Sequence, residues 1–267
     1  QVRLTPQGAG YRLRGSVVQR QSGQPYALDV PLYVTTAQGL EAFTVSLSAA
    51  VTQFDIQVAA EPLLLEVDPE FDVFRLLDPR ETAPSIGQIF GEAERLAVLP
   101  WAASSEELAA YTALVENWRS GARAITVVLD SEINAIPADR AAWLLGADNA
   151  FAGELFGRDP AIDVDIGAEA LLIAGTALAQ ASQSSVVVRR HPDDPSKAVG
   201  WIAVAPAAAF AGVASKLPHY GKYSYLGFAG DEPSNMLKGE WTATDSPLRR
   251  DLRAGETRFA GQVTPAR

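Results

Sequence analysis

Apolar and polar residues alternate with a period of two through the first quarter of the chain. Tyr11-Arg-Leu-Arg-Gly-Ser-Val-Val sends every second side chain to one face, the pattern of a half-buried strand. Gln21-Ser-Gly-Gln reads as a turn, and Tyr26 to Val34 resumes the strand pattern. A second turn at Gln38-Gly39 leads to strands predicted at Ala42 to Leu47, Phe54 to Val58 and Leu63 to Val67. Short strands with a turn signal about every ten residues predict an immunoglobulin-like β-sandwich over residues 1–67. Pro31 has no N–H to give a ladder, so its strand is expected at a sheet edge.

Residues 68–84 are rich in proline, yet Phe71, Val73, Phe74, Leu76 and Leu77 are apolar. A connector of this composition is expected to dock through its aromatics rather than to swing freely. Beyond it the period changes. Arg95 to Leu99 and Ala124 to Leu129 are short apolar runs that predict buried strands. Between them Ser104 or Ser105 caps a helix that places Glu106 and Glu107 in its first turn, where carboxylates suit the helix dipole. Leu108, Tyr111, Val115 and Trp118 recur at helical spacing and Gly121 ends the element. Ala138 to Leu145 is expected as a short helix, and Phe151 to Phe156 as a helical turn. Ala168 to Ala174 fits strand or helix. Val186 to Arg190 and Ala198 to Val204 are predicted strands, Ala207 to Leu217 a helix, and Tyr223 to Ala229 a closing strand. Alternating strands and helices over residues 85–241 predict a three-layer α/β domain with a parallel or mixed sheet. Residues 242–267 read as a polar tail.

Composition narrows the chemistry. The 267 residues include 0 cysteines and 2 histidines, which excludes disulfide frameworks, thiol nucleophiles and His-rich metal centres. A net charge of -10 argues against nucleic acid as a partner, because phosphate neutralisation needs clustered Lys and Arg. No run of about 18 apolar residues occurs, so no membrane insertion is expected of this segment. Residue 1 is Gln and no leader pattern follows it, which suggests a mature protein or a piece of a longer one; the compartment stays open.

Candidate ligand-binding residues fall in two places. Asp130 and Glu132 follow a predicted strand, and open α/β sheets bind their ligands at strand C-termini. The alternative is a solvated loop with an Asx turn. His219, Tyr220 and Lys222 lie in Lys216-Leu-Pro-His-Tyr-Gly-Lys-Tyr, where an imidazole beside a lysine and tyrosines could move protons near neutral pH. The alternative, and the preferred one, is a hydrogen-bonded loop tying a helix to a strand. His191 with Asp193 and Asp194 could attract a cation, but Asp beside proline more simply forms turns. Gly-x-Ser-x-Gly, a phosphate-binding loop and a dinucleotide fingerprint are all missing.

Two stretches carry a resemblance: Val67-Asp-Pro-Glu-Phe-Asp-Val-Phe-Arg-Leu-Leu-Asp-Pro-Arg-Glu, and Leu217-Pro-His-Tyr-Gly-Lys-Tyr-Ser-Tyr-Leu with Lys238-Gly-Glu-Trp-Thr and Ser246-Pro-Leu downstream. They resemble the C-terminal region of large bacterial proteins whose earlier part is similar to the M1 (gluzincin) zinc aminopeptidases. In that family a β-sandwich follows the catalytic domain and commonly ends like Glu66-Val-Asp-Pro. The His-Glu-x-x-His and Gly-x-Met-Glu-Asn motifs are absent, and well-known members follow the sandwich with helices, so no catalytic residue carries over. The resemblance implies an accessory, non-catalytic C-terminal region with no cofactor of its own. Its partner would be an upstream catalytic domain of the same polypeptide, in a parent that is periplasmic or membrane-associated. A separate peptide- or small-molecule-binding module is the alternative, and an autonomous hydrolase ranks last.

Overall fold

The computed structural model describes residues 2–119, 124–157 and 162–253. It folds as two compact units, Gln1–Asp78 with Asp245–Arg267, and Pro79–Thr244. The whole is β plus α/β, as the two periodicities predict.

The first unit holds β1 (Val2–Gln7), β2 (Gly10–Val18), β3 (Leu28–Thr36), β4 (Gly39–Leu47), β5 (Val51–Val58) and β6 (Pro62–Val67), and a return strand, Arg249–Asp251. One sheet has the order β1-β2-β5; the other runs return strand-β6-β3-β4. Alternation puts Leu13 and Phe54 from the first sheet and Val30, Leu32, Val34, Val45 and Leu65 from the second into one core. On the solvent face of the smaller sheet, Asp55 takes both Arg12 (2.6 Å) and Arg14 (2.9 Å).

Two expectations for this unit are corrected. Pro31 does not lie at an edge, since β3 sits between β4 and β6. In an antiparallel strand the N and O of one residue point to the same side. The Pro31 carbonyl accepts from Asp68 N (2.8 Å), so its missing N–H faces the side where β6 has already ended at Val67. No ladder bond is lost. The second correction is the polar tail: Arg249–Asp251 pairs antiparallel with Leu64–Glu66 of β6, and Leu252 packs on the core.

The second unit begins with α1 (Ile86–Gly91), β7 (Glu94–Leu99), α2 (Ser105–Asn117), β8 (Ala124–Leu129) and β9 (Ala141–Leu145). There follow α3 (Ala152–Phe156), β10 (Val164–Ile166), β11 (Ala170–Ile173), β12 (Thr176–Ala179), β13 (Gln183–Arg190) and β14 (Ala198–Ala203). It ends with α4 (Phe210–Lys216), β15 (Tyr225–Ala229) and β16 (Ser234–Gly239). Seven strands make one mixed sheet, β16-β15-β13-β14-β9-β7-β8. β8, β7, β9 and β14 are parallel neighbours, and β13, β15 and β16 extend the sheet antiparallel. Ile86, Ile89, Tyr111, Leu114 and Val213 of α1, α2 and α4 cover one face. On the other, α3 and the small sheet β10-β11-β12 bring Phe156, Leu171, Ile173 and Leu178 over Leu96, Val98, Leu144 and Trp201.

The helix expected over Ala138 to Leu145 is instead an interior strand of the sheet, β9. Ala-Ala-Trp-Leu-Leu is buried at every position and has no polar face to show water. Burial on both sides of a parallel sheet overrides the helical preference of alanine. Trp143 crosses the sheet at Gly200 of β14, where an added Cβ would lie 2.1 Å from the indole. The strand expected to close the sheet, β15, is followed by an edge strand, β16. Ser104 is the cap of α2, its Oγ accepting from Glu107 N (3.2 Å). Gly121, read as the end of that helix, lies outside the described residues.

Candidate functional site

In chain order the parallel strands lie 2-1-3-4 across the sheet, so the connections leave β7 and β9 in opposite directions. The gap between the C-terminal ends of β7 and β9 is the switch point where open α/β sheets place ligands. Four loops meet there, after β7 (Pro100 and Trp101), β8 (Asp130), β9 (Gly146 to Ala150) and β14 (Val204 to Pro206).

Asp130 sits at this location, as read from the sequence, and it is buried. Its Oδ1 accepts from Trp101 N (2.9 Å) and its Oδ2 from Ala150 N (2.9 Å). One carboxylate therefore holds the β7 and β9 loops at a fixed distance from the β8 loop. Buried Asn149 works alongside it. Its Nδ2 donates to Val98 O (2.9 Å) and Leu145 O (3.2 Å), and its Oδ1 accepts from Phe151 N (3.2 Å). Gly146 turns the chain out of β9 at φ +91°, and a Cβ there would meet Pro100 Cγ at 2.7 Å. Trp201 Nε1 donates to Gly146 O (2.8 Å). The Tyr111 hydroxyl accepts from Val204 N (3.2 Å), and burial pushes its pKa well up. Ser184 Oγ both accepts from Ala205 N (3.1 Å) and donates to Ala205 O (3.0 Å). These side chains direct their polar atoms at the protein's own backbone. Solvent at the switch point meets the half-exposed indole of Trp101 and the carboxylate of Asp148. Glu132 is exposed, and its Oε2 accepts from Leu129 N (2.8 Å) across the short turn that follows β8.

His219, Tyr220 and Lys222 lie at the other end of the sheet. β15 runs in the direction of β14, because both are antiparallel to β13. The loop entering β15 is thus at the N-terminal ends of the parallel strands, about 20 Å from the Asp130 end along the strand direction and five strand positions away across the sheet. His219 and Lys222 are exposed there. Lys222 Nζ stands 5.0 Å from the Tyr223 ring and 3.9 Å from Glu240. Tyr220 meets Phe228 edge-on, ring centres 5.6 Å apart. The backbone of this loop receives α1: Gly87 N donates to Gly221 O (2.7 Å) and Ile86 N to Tyr223 O (3.0 Å). A Cβ on Gly87 would lie 2.8 Å from Gly221 O, so only glycine permits that approach. The five residues therefore divide between two ends of the sheet.

His191 is buried between strands rather than open to a cation. Nδ1 accepts from Asp193 N (3.1 Å), which leaves Nε2 to donate to Ile136 O (3.1 Å). Asp194 Oδ1 accepts from Ser196 N (2.9 Å), and its hydrogen bonds to Ser196 hold its carboxyl below the usual range. Among the described residues no three His, Asp or Glu side chains converge as a metal-binding group.

A further feature lies in the first unit and was legible only as apolar composition. Buried Asp68 accepts from Val73 N (3.1 Å) and Arg75 Nε (2.7 Å), and Val73 packs on the core, while Phe74 and Leu76 point outward. The expectation that the connector docks through its aromatics is not met: Phe71 and Phe74 are both exposed, and it is the aliphatic Val73 that packs on the core.

In comparison with known proteins, no family model matches the chain and no curated protein sequence is significantly similar to it.

Proposed function

We propose that this chain is a non-catalytic accessory region of a larger bacterial M1-like zinc metallopeptidase, contributing stability, substrate access or partner docking. In this reading the first unit is an immunoglobulin-like sandwich and the second a three-layer α/β domain. The chain itself takes no cofactor, and its partner is the upstream catalytic domain of the same polypeptide. The observation that carries the non-catalytic part is the use of Asp130. Both of its oxygens are bonded to backbone amides at the place where an α/β enzyme would direct a catalytic group toward substrate. The link to the M1 family rests on the segments beginning at Val67 and Leu217.

Two measurements test this. The chain, purified alone with added Zn²⁺, is expected to show no turnover of aminoacyl and peptide substrates. The parent polypeptide is expected to lose stability or turnover when residues 1–267 are deleted. Hydrolysis by the chain alone that disappears in a His219→Ala variant would overturn the reading. So would an upstream coding sequence without a metallopeptidase domain.

One observation favours a second reading, a module that binds a peptide or small molecule. Trp101 offers a 62% exposed indole at the switch point. Ligand-induced thermal stabilisation that is lost in Trp101→Ala would support it.

A further inference from the structure

The run Asp72–Leu77 joins two properties rarely found together, a fixed backbone and fully exposed apolar side chains. Its fixation starts at Asp68, which is 1% exposed. Asp68 N donates to Pro31 O (2.8 Å), and its carboxylate accepts from Val73 N (3.1 Å) and Arg75 Nε (2.7 Å). Asp68 and Phe71 are both held in the left-handed region, at φ 52° and 58°, where non-glycine residues are uncommon. Val73 is anchored on the core. From that anchor side chains alternate: Val73 and Arg75 are partly covered, whereas Phe74 and Leu76 are 107% and 98% exposed. The alternation of covered and exposed positions leaves Phe74 and Leu76 as two outward apolar groups separated by one residue. Phe71, 51% exposed, adds a third apolar group nearby in sequence.

Single exposed apolar residues need no explanation, but adjacent ones on a held segment mark interaction sites. A segment already fixed in its bound shape loses little conformational entropy on docking. The charges beside it define the partner. Glu70 and Asp72 are exposed and make no ion pair among the described residues, whereas the one cation of the run, Arg75, is engaged by Asp68. With a net charge of -10, a second copy of this chain would bring like charge to the same contact.

We propose that Asp72–Leu77 is a docking strip for a different protein, one presenting an apolar groove for Phe74 and Leu76 with Lys or Arg on its rim facing Glu70 and Asp72.

The test is site-specific photocrosslinking of the full chain in its source cells, with benzoylphenylalanine at position 74 and, as a control, at exposed Tyr26. The joined peptides are identified by mass spectrometry. The expected result is a crosslink from position 74 to one other protein, within a peptide carrying apolar residues and Lys or Arg. The control gives no such product. Leu76→Asp and the charge reversal Glu70→Lys/Asp72→Lys should each reduce the yield at least fivefold, while the Tm of the purified variants stays within about 2 °C of the parent chain. The proposal is overturned by no crosslink, by a crosslink within the same chain or to an isotopically distinguished second copy, or by a yield unaffected by charge reversal. A large fall in Tm for Leu76→Asp would also overturn it, since the side chain would then be buried in its own fold.

Discussion

Removing the Asp130 carboxylate separates a structural tie from a binding group. In Asp130→Ala, Trp101 N and Ala150 N each lose an acceptor 2.9 Å away in a partly buried setting. Hydrogen bonds to a charged group contribute about 1.5–3 kcal/mol each. Partial access of the two amides to water favours the lower end, so the loss should be about 3 kcal/mol. Asp130→Asn keeps the shape but supplies one acceptor and turns an NH₂ toward the other amide, which should cost about 2 kcal/mol. All 5 tryptophans of the chain, at 101, 118, 143, 201 and 241, lie within Pro79–Thr244. Tryptophan fluorescence during urea unfolding therefore reports this unit alone. With a slope of about 2 kcal/mol per molar urea, the alanine variant should unfold about 1.5 M earlier and the asparagine variant about 1 M earlier. If Asp130 were instead retained to bind something, its removal would leave the midpoint unchanged or raised. A shift below about 0.2 M in Asp130→Ala would refute the reasoning.

Three other outcomes follow from the packing and the charges. Gly200→Ala places a methyl 2.1 Å from Trp143 Cζ3 and 2.8 Å from Ile89 Cδ1 in a core with no room to shift, and should lower stability by about 3 kcal/mol in the same fluorescence assay; an unchanged midpoint would contradict it. Asp55 is held at a pKa of about 2 by its hydrogen bonds from Arg12 and then Arg14, so an NMR carboxylate titration should show that midpoint and Arg12→Ala should return it toward about 4. Because the folded value is depressed, this cluster's contribution is complete above about pH 4, is lost as pH falls through about 2, and shrinks with added salt. Ending the chain at Thr244 should destabilise the first unit, seen by circular dichroism and light scattering, and leave the tryptophan-reported transition in place; loss of both transitions, or of neither, would count against the division into units.

What the sequence revealed depended on how local the determining physics is. β2 to β6 were readable because each has one face in a core and one in water, which writes a period of two into the chain. β9 is not legible in this way, because burial on both faces leaves no period at all and alanine then suggests a helix. The return strand carries Arg249, Arg250 and Asp251, and nothing in that triplet announces pairing with residues 64–66, far back in the chain. The site divides in the same way. That Asp130 lies past the C-terminal end of a strand follows from order along the chain. The direction of its carboxylate is set by amides 29 and 20 residues away, which no pattern around residue 130 encodes. The apolar composition of the 68–84 segment was plain, but which of its side chains turn outward was decided by the bond from Arg75 back to Asp68.

The return strand also sets an order of events during synthesis. When β6 leaves the ribosome, six of the seven described strands of the first unit exist, and β6 has an unpaired side. The seventh arrives only after the whole of Pro79–Thr244 has been made. At roughly 5–20 residues per second, that interval lasts about 10–40 s. The second unit can complete its fold within it, while the first waits with a sheet edge open to any passing strand. A nascent chain stalled before residue 249 would therefore carry one finished unit and one vulnerable one, and the period of greatest exposure to misassembly falls before release rather than after it.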